Sequence, residues 1–178
     1  MAKIPHDPDE LVAVVDGNDK VIGTSTRGEV HKKGILHREV AIYLINPVSK
    51  QVLLQKRLDN HKWDHSSAGH FPFNQNYEQA AKREFQEELG ISLPLREFKE
   101  LTYKEIRKKL TPEILNYRFI KVFLVEKDIS LEKFNFDRDE IEEIKYFDKK
   151  DLLDLLKHSQ DLTSSAVEII RDYILNRI

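Results

Sequence analysis

The sequence predicts an α+β chain: a mixed β-sheet lying between helices as an α/β/α sandwich, with an added N-terminal β-hairpin. Three observations predict it. Two pairs of β-prone runs near the N-terminus are each joined by a turn-rich link, one helix of sharp periodicity follows, and further strands give way to two helical stretches at the C-terminal end. A length of 178 residues fits one domain, 1–178, able to bury a core without disulfides or structural metals.

The first pair is Leu11 to Val15 and Val21 to Thr26, separated by Asp16-Gly17-Asn18-Asp19-Lys20, a composition that reads as a hairpin turn. The second pair, Val40 to Asn46 and Gln51 to Arg57, flanks Pro47-Val48-Ser49-Lys50, and its Val, Ile, Leu and Tyr content suits central strands. Asp, Asn, His, Ser, Gly and Pro crowd the stretch from Asn60 to Asn76, which is expected to be irregular. From Tyr77 to Leu89 the period changes: Tyr77, Ala80, Ala81, Phe85 and Leu89 share one helical stripe, Asn76 and Gln79 form a capping-box-like pair, and Gly90 ends the helix. Strands are expected near Leu95 to Tyr103, Asn116 to Val125 and Ile144 to Phe147, and helices from Lys150 to His158 and Thr163 to Asn176.

Charge and composition exclude several functions. With 29 basic and 31 acidic residues the net charge is -2, which leaves no global positive field to hold a nucleic-acid polymer. The basic run from Lys104 to Lys109 reads as a solvated amphipathic face. Without Cys there is no disulfide, thiolate nucleophile or Cys-based metal site. The segment Met1 to Asp7 carries no apolar run of signal-peptide length, and no run is long enough to span a bilayer, so a cytoplasmic protein is expected.

Glu84, Glu87 and Glu88 are spaced i, i+3, i+4 on the central helix, which sets three carboxylates on one side about 5 to 6 Å apart. They also occupy the last turn, where the helix dipole disfavours negative charge. Two readings account for the cluster. It is a solvated acidic helix end, or it is a site for a hard divalent cation, Mg²⁺ or Mn²⁺, which favours closely set carboxylate oxygens completed by water and substrate phosphates.

The surrounding residues favour the second reading. From Gly69 to Ile91 the chain resembles the Nudix box: Gly, five residues, Glu, seven residues, then Arg-Glu-apolar-x-Glu-Glu-x-Gly-apolar. Gly69, Arg83, Glu84, Phe85, Glu87, Glu88, Gly90 and Ile91 stand in register, and Gln75 replaces the first Glu. The resemblance implies the Nudix fold and a hydrolase that cleaves a diphosphate linkage in a nucleoside diphosphate derivative or similar small substrate. Glu84, Glu87 and Glu88 would bind the metal and, with Arg83 orienting them, serve catalysis. Lys56 and Arg57 stand at the end of a predicted strand before the box, where they contact phosphate or form an exposed strand end; His70 is a further substrate contact, a carboxylate among Glu84, Glu88, Glu113, Glu140 and Glu143 would accept the water proton, and Gln75 would still hydrogen-bond Arg83 without adding charge. A small diphosphate is the expected partner, with homodimerisation left open.

Residues 10 to 91 are also similar to isopentenyl diphosphate isomerases, which share the Nudix fold, through Ile22-Gly23-Thr24, His31, Leu36-His37-Arg38, Gln55-Lys56-Arg57 and Ala68-Gly69-His70. In that family, histidines matching His31, His37 and His70 bind a metal. The resemblance is incomplete. A Cys of the isomerases falls on Ala68, and their two acids on a later strand fall within Asn116-Tyr117-Arg118-Phe119. A hydrolase is therefore expected, with a double-bond isomerase or a noncatalytic diphosphate-binding module as alternatives. The three histidines are read singly as packing, hydrogen-bonding or substrate-contact residues. Trp63, Phe71, Phe73 and Tyr117 are read as core before base-stacking residues.

Overall fold

The computed structural model describes residues 7–178; Met1 to His6, part of the stretch expected to carry no signal-peptide run, lies outside them. The elements run β1 (Leu11–Val15), β2 (Val21–Thr26), α1 (Arg27–Lys33), β3 (His37–Asn46), β4 (Gln51–Arg57), β5 (Trp63–Asp64), β6 (Ser67–His70), α2 (Tyr77–Leu89), β7 (Lys99–Thr111), β8 (Ile114–Glu126), β9 (Ile141–Phe147), α3 (Lys149–Lys157) and α4 (Ser164–Ile169).

Strand β3 is buried along nearly its whole length, and both of its faces carry hydrocarbon, the pattern of a strand covered on both sides. Val40, Ile42 and Leu44 join one core; Ala41, Tyr43 and Ile45 join the other. It pairs in parallel with β8 from His37 to Ile45 and antiparallel with β6 and β4, so the sheet is mixed. The β1–β2 hairpin attaches through Val14 opposite His37, while β7 extends β8 and β9 extends β4.

Helix α2 covers the first core with Tyr77, Ala80, Ala81, Phe85 and Leu89. On the other face Leu152 of α3 and Ala166 and Ile169 of α4 pack on the sheet, and a π-helical turn, Ile170–Ile174, continues α4. This is the expected sandwich. Among the described residues no helix is long and apolar enough to cross a membrane.

The differences have local causes. Helix α1 was not anticipated. Its only buried residue is Val30, so it shows no apolar period, and it stands on its ends: Thr26 accepts from the Glu29 amide and Gly34 closes it at φ 65. The expected irregular stretch contains β5 and β6, two and four residues long, too short to display alternation. The strand expected at Leu95 opens instead as a 3₁₀ turn, Leu95–Glu97, and β7 then runs on to Thr111 because β8 pairs along it; the Lys104 to Lys109 run is therefore a strand. Strands β3 and β9 each begin three residues earlier than expected.

Candidate active site

The end of α2, the strand β6, the outer ends of β3 and β8, and α1 surround one cavity of about 870 Å³. One end of it is carboxylate. Asn76 and Gln79 form the full capping box and Gly90 caps the C-terminus at φ 72, which fixes the register that turns Glu84 and Glu88 inward. Glu84 is 2% exposed and Glu88 5%, whereas Glu87 is exposed.

Each carboxylate is held. Glu88 Oε2 accepts from Gln55 Nε2 at 3.0 Å and from the Ala68 amide at 3.2 Å. Arg83 donates to Glu84 at 2.5 Å, to Glu87 at 2.8 Å, to the His70 carbonyl at 3.0 Å and to Gln75 Oε1 at 3.1 Å. Burial alone would lower the Arg83 pKa, but Glu84 and Glu87 outweigh it and hold the guanidinium above its ordinary value. The bond expected from Gln75 is present.

Two nearly buried acids set together demand positive charge, and their oxygens are the hard donors that Mg²⁺ or Mn²⁺ takes. Gly69 completes the cradle, because a Cβ there would overlap the Glu84 carboxylate. The residues present therefore fit a divalent cation.

The other end is imidazole and guanidinium. His31, His37 and His70 bring ring nitrogens within 4.8 Å of one another. Burial is the first cause lowering all three, and it pushes His37 down to about 3, so the rings are neutral near pH 7. His37 Nδ1 lies 2.8 Å from the Ile35 carbonyl, and its Nε2 lies 3.2 Å from His70 Nε2. Neutral imidazoles gathered in this way can also serve a borderline cation. The grouping is the one the isomerase resemblance implies; residue-by-residue reading gives no sign of it, because pairing of β3 with β6 is what brings His37 and His70 together.

Most of the residues singled out in the sequence line the cavity: Arg57, His70, Arg83, Glu84, Glu87 and Glu88. Lys56 does not. It alternates away from Gln55 and Arg57 on β4 and pairs with Glu142 at 2.8 Å. Of the later carboxylates Glu140 lines the cavity, whereas Glu113 sits in the β7–β8 turn and Glu143 on the exposed side of β9. Trp63 and Tyr117 pack against cores, Phe71 is fully buried, and Phe73 is exposed; none lines the cavity. Sequence reasoning missed Gln55, Glu39, Asn116, Arg118 and Ser165. Of these, Gln55, Asn116 and Arg118 lay in stretches already compared with a family, and nothing local marked Glu39 or Ser165.

The family model described as NUDIX domain matches residues 35–170. The Arabidopsis thaliana protein named Nudix hydrolase 3 is 35% identical over 129 residues, which cover 67% of this chain but only 17% of that protein. A Photorhabdus laumondii protein named isopentenyl-diphosphate Delta-isomerase 2 is 29% identical over 159 residues, 86% of each chain. A crystal structure from Deinococcus radiodurans superposes with a TM-score of 0.70 at 20% identity, covering 91% of this chain and 98% of that one.

Proposed function

Because the chain belongs to the Nudix domain family, we propose that it is a divalent-metal-dependent hydrolase that cleaves a diphosphate linkage in a nucleoside diphosphate derivative or similar small substrate. The observation that carries this reading is the pair Glu84 and Glu88, buried in a cavity wall and braced by Arg83, Gln55 and the Ala68 amide. A cavity of about 870 Å³ is of small-molecule size, so the substrate is a metabolite and not a nucleic-acid polymer. The enzyme is read as a single domain working in the cytoplasm.

Glu84, Glu87 and Glu88 would hold Mg²⁺ or Mn²⁺, which supplies positive charge to the phosphate oxygens and to an attacking water. Arg83 keeps Glu84 and Glu87 aligned, and Gln55 does the same for Glu88. Arg57, held by Asp59 and Asp64, faces the cavity as a phosphate contact, and His70 sits at the junction of its two ends. The proton acceptor is drawn from Glu84, Glu88 and Glu140, the candidate carboxylates that line the cavity.

One observation favours a second reading. The grouping of His31, His37 and His70 is what the isomerase resemblance implies. Against it, Ala68 offers no titratable atom where the isomerases carry Cys, and the β8 stretch matching their two acids lines the cavity with Asn116 and Arg118 instead.

Incubation with Mg²⁺ or Mn²⁺ and a panel of nucleoside diphosphates, nucleoside triphosphates, sugar nucleotides, dinucleotides and isopentenyl diphosphate separates these readings. The hydrolase releases phosphate or nucleotide products that Glu87→Gln strongly reduces. Double-bond migration in isopentenyl diphosphate, or binding without turnover of any substrate, would overturn it.

A further inference from the structure

Beyond the glutamates the cavity continues along β8, whose residues Ile114, Asn116 and Arg118 stand at alternate positions and so face one side. Farther along that face come Ile120, Val122 and Leu124, all hydrocarbon packed in the core. The face changes to Asn and Arg where it leaves the core and becomes cavity wall.

Arg118 is 3% exposed. Glu39 Oε2 lies 2.9 Å from its Nε as an ion pair in which that N–H makes no aligned hydrogen bond, and its Nη2 donates to Ser165 Oγ at 3.0 Å, so the guanidinium is tethered at one corner and keeps donor capacity for a ligand. Asn116 Oδ1 is buried and has no hydrogen-bond partner among the described residues. A buried amide oxygen is costly to leave in that state and calls for a donor from a ligand or a water. At the cavity mouth Leu110 and Ile114 add aliphatic walls, 49% and 42% exposed.

An acceptor and a planar donor two residues apart on one strand match a flat group that carries a donor and an acceptor on one rim. Every nucleobase has such a rim, an N–H or amino group beside a carbonyl or ring nitrogen. A branched hydrocarbon chain has neither and would leave both side chains desolvated without a partner.

We propose that Asn116 and Arg118 are specificity-determining residues that read the edge of a nucleobase whose faces lie against Leu110 and Ile114. The inference rests on the diphosphate-hydrolase reading in one respect: it takes the base as the far end of a substrate whose phosphates lie at the glutamates.

The test is calorimetric titration of the protein with CMP, UMP, AMP, GMP and ribose 5-phosphate in the presence of Mg²⁺, for the parent chain, Asn116→Leu and Arg118→Lys. At least one nucleotide is expected to bind at least about tenfold more tightly than ribose 5-phosphate. Asn116→Leu should erase that margin and leave ribose 5-phosphate binding unchanged. Arg118→Lys, which keeps a charge beside Glu39 but loses the planar fork, should erode it in the same direction. Thermal melts confirm folding, and Asn116→Ser serves if the leucine variant does not fold. Nucleotides binding no better than ribose 5-phosphate, or a margin that survives in the folded variants, would overturn the proposal. Binding requires no turnover, so base-dependent binding without hydrolysis overturns the enzyme reading alone. Hydrolysis of base-free diphosphates at undiminished kcat/KM overturns the base reading alone.

Discussion

Gly69 lies against the carboxylate of Glu84 so closely that any side chain at residue 69 would overlap it. Glu84 cannot simply yield, because it is buried and paired with Arg83. Gly69→Ala is therefore expected to displace the carboxylate from the cavity wall. Overpacking of this kind costs about 1 to 3 kcal/mol, which a single domain of this length tolerates as a fall of a few degrees in Tm. Hydrolysis should suffer more than folding, with kcat down by at least about tenfold. Steady-state kinetics beside a thermal melt check this; an unchanged kcat would mean that the contact has no bearing on the chemistry.

Gln55 lines the cavity beside Glu88, whose Oε2 accepts its amide at 3.0 Å. Outer partners of metal ligands typically matter by about 10- to 100-fold in affinity or activity. Gln55→Leu, similar in volume but without a donor, should raise the half-saturating Mg²⁺ concentration by such a factor and leave the urea midpoint within experimental scatter. A variant with unaltered metal dependence would remove Gln55 from the account.

Gln75 accepts from Arg83 Nε at 3.1 Å as a neutral group. A carboxylate at residue 75 would draw Arg83 toward itself and loosen its hold on Glu84 and Glu87, which now raise its pKa against burial. Gln75→Glu should then lower the half-saturating Mg²⁺ concentration by roughly two- to tenfold. Titration of activity against Mg²⁺ reads the shift, and a rise instead of a fall would contradict it.

What the sequence revealed of this site followed its physics. Glu84, Glu87, Glu88 and Arg83 lie within one helix, where spacing alone sets their side, and the helix declared both ends through Asn76, Gln79 and Gly90. The sandwich was readable for the same reason: the hydrocarbon of β3 and the stripe of α2 are local patterns. The opposite end of the cavity was not readable from any local pattern; only the isomerase resemblance named its three histidines together. His37 stands beside Arg118 only because β3 and β8 pair in parallel across a long stretch of chain, and Glu39 meets His70 only across the β3–β6 pairing. Lys56 was misplaced by one step of strand alternation, which depends on register and not on residue type.

His37, His65 and His70 are buried and neutral. Burial is the first cause lowering each, to about 3 for His37 and well below the ordinary 6.5 for His70. In the unfolded chain these rings titrate near about 6.5. As pH falls below that value the unfolded state takes up protons that the folded state refuses, so stability is full above it and is lost on the way down towards the folded values. The slope approaches about 1.4 kcal/mol per pH unit for each such ring. Urea unfolding at about pH 7.5 and about pH 5 should show the lower midpoint at the acid value. Equal midpoints would mean that the three rings are already charged in the folded protein.

The most direct measurement is a Mn²⁺ titration of the parent chain and of the double variant Glu84→Gln, Glu88→Gln, followed by the paramagnetic signal of free Mn²⁺, with nucleoside diphosphate hydrolysis recorded on the same samples. The parent chain should take up at least one equivalent more than the variant, and the lost equivalent should carry the hydrolysis with it. Equal uptake by both proteins, or hydrolysis that survives in a folded variant, would contradict it.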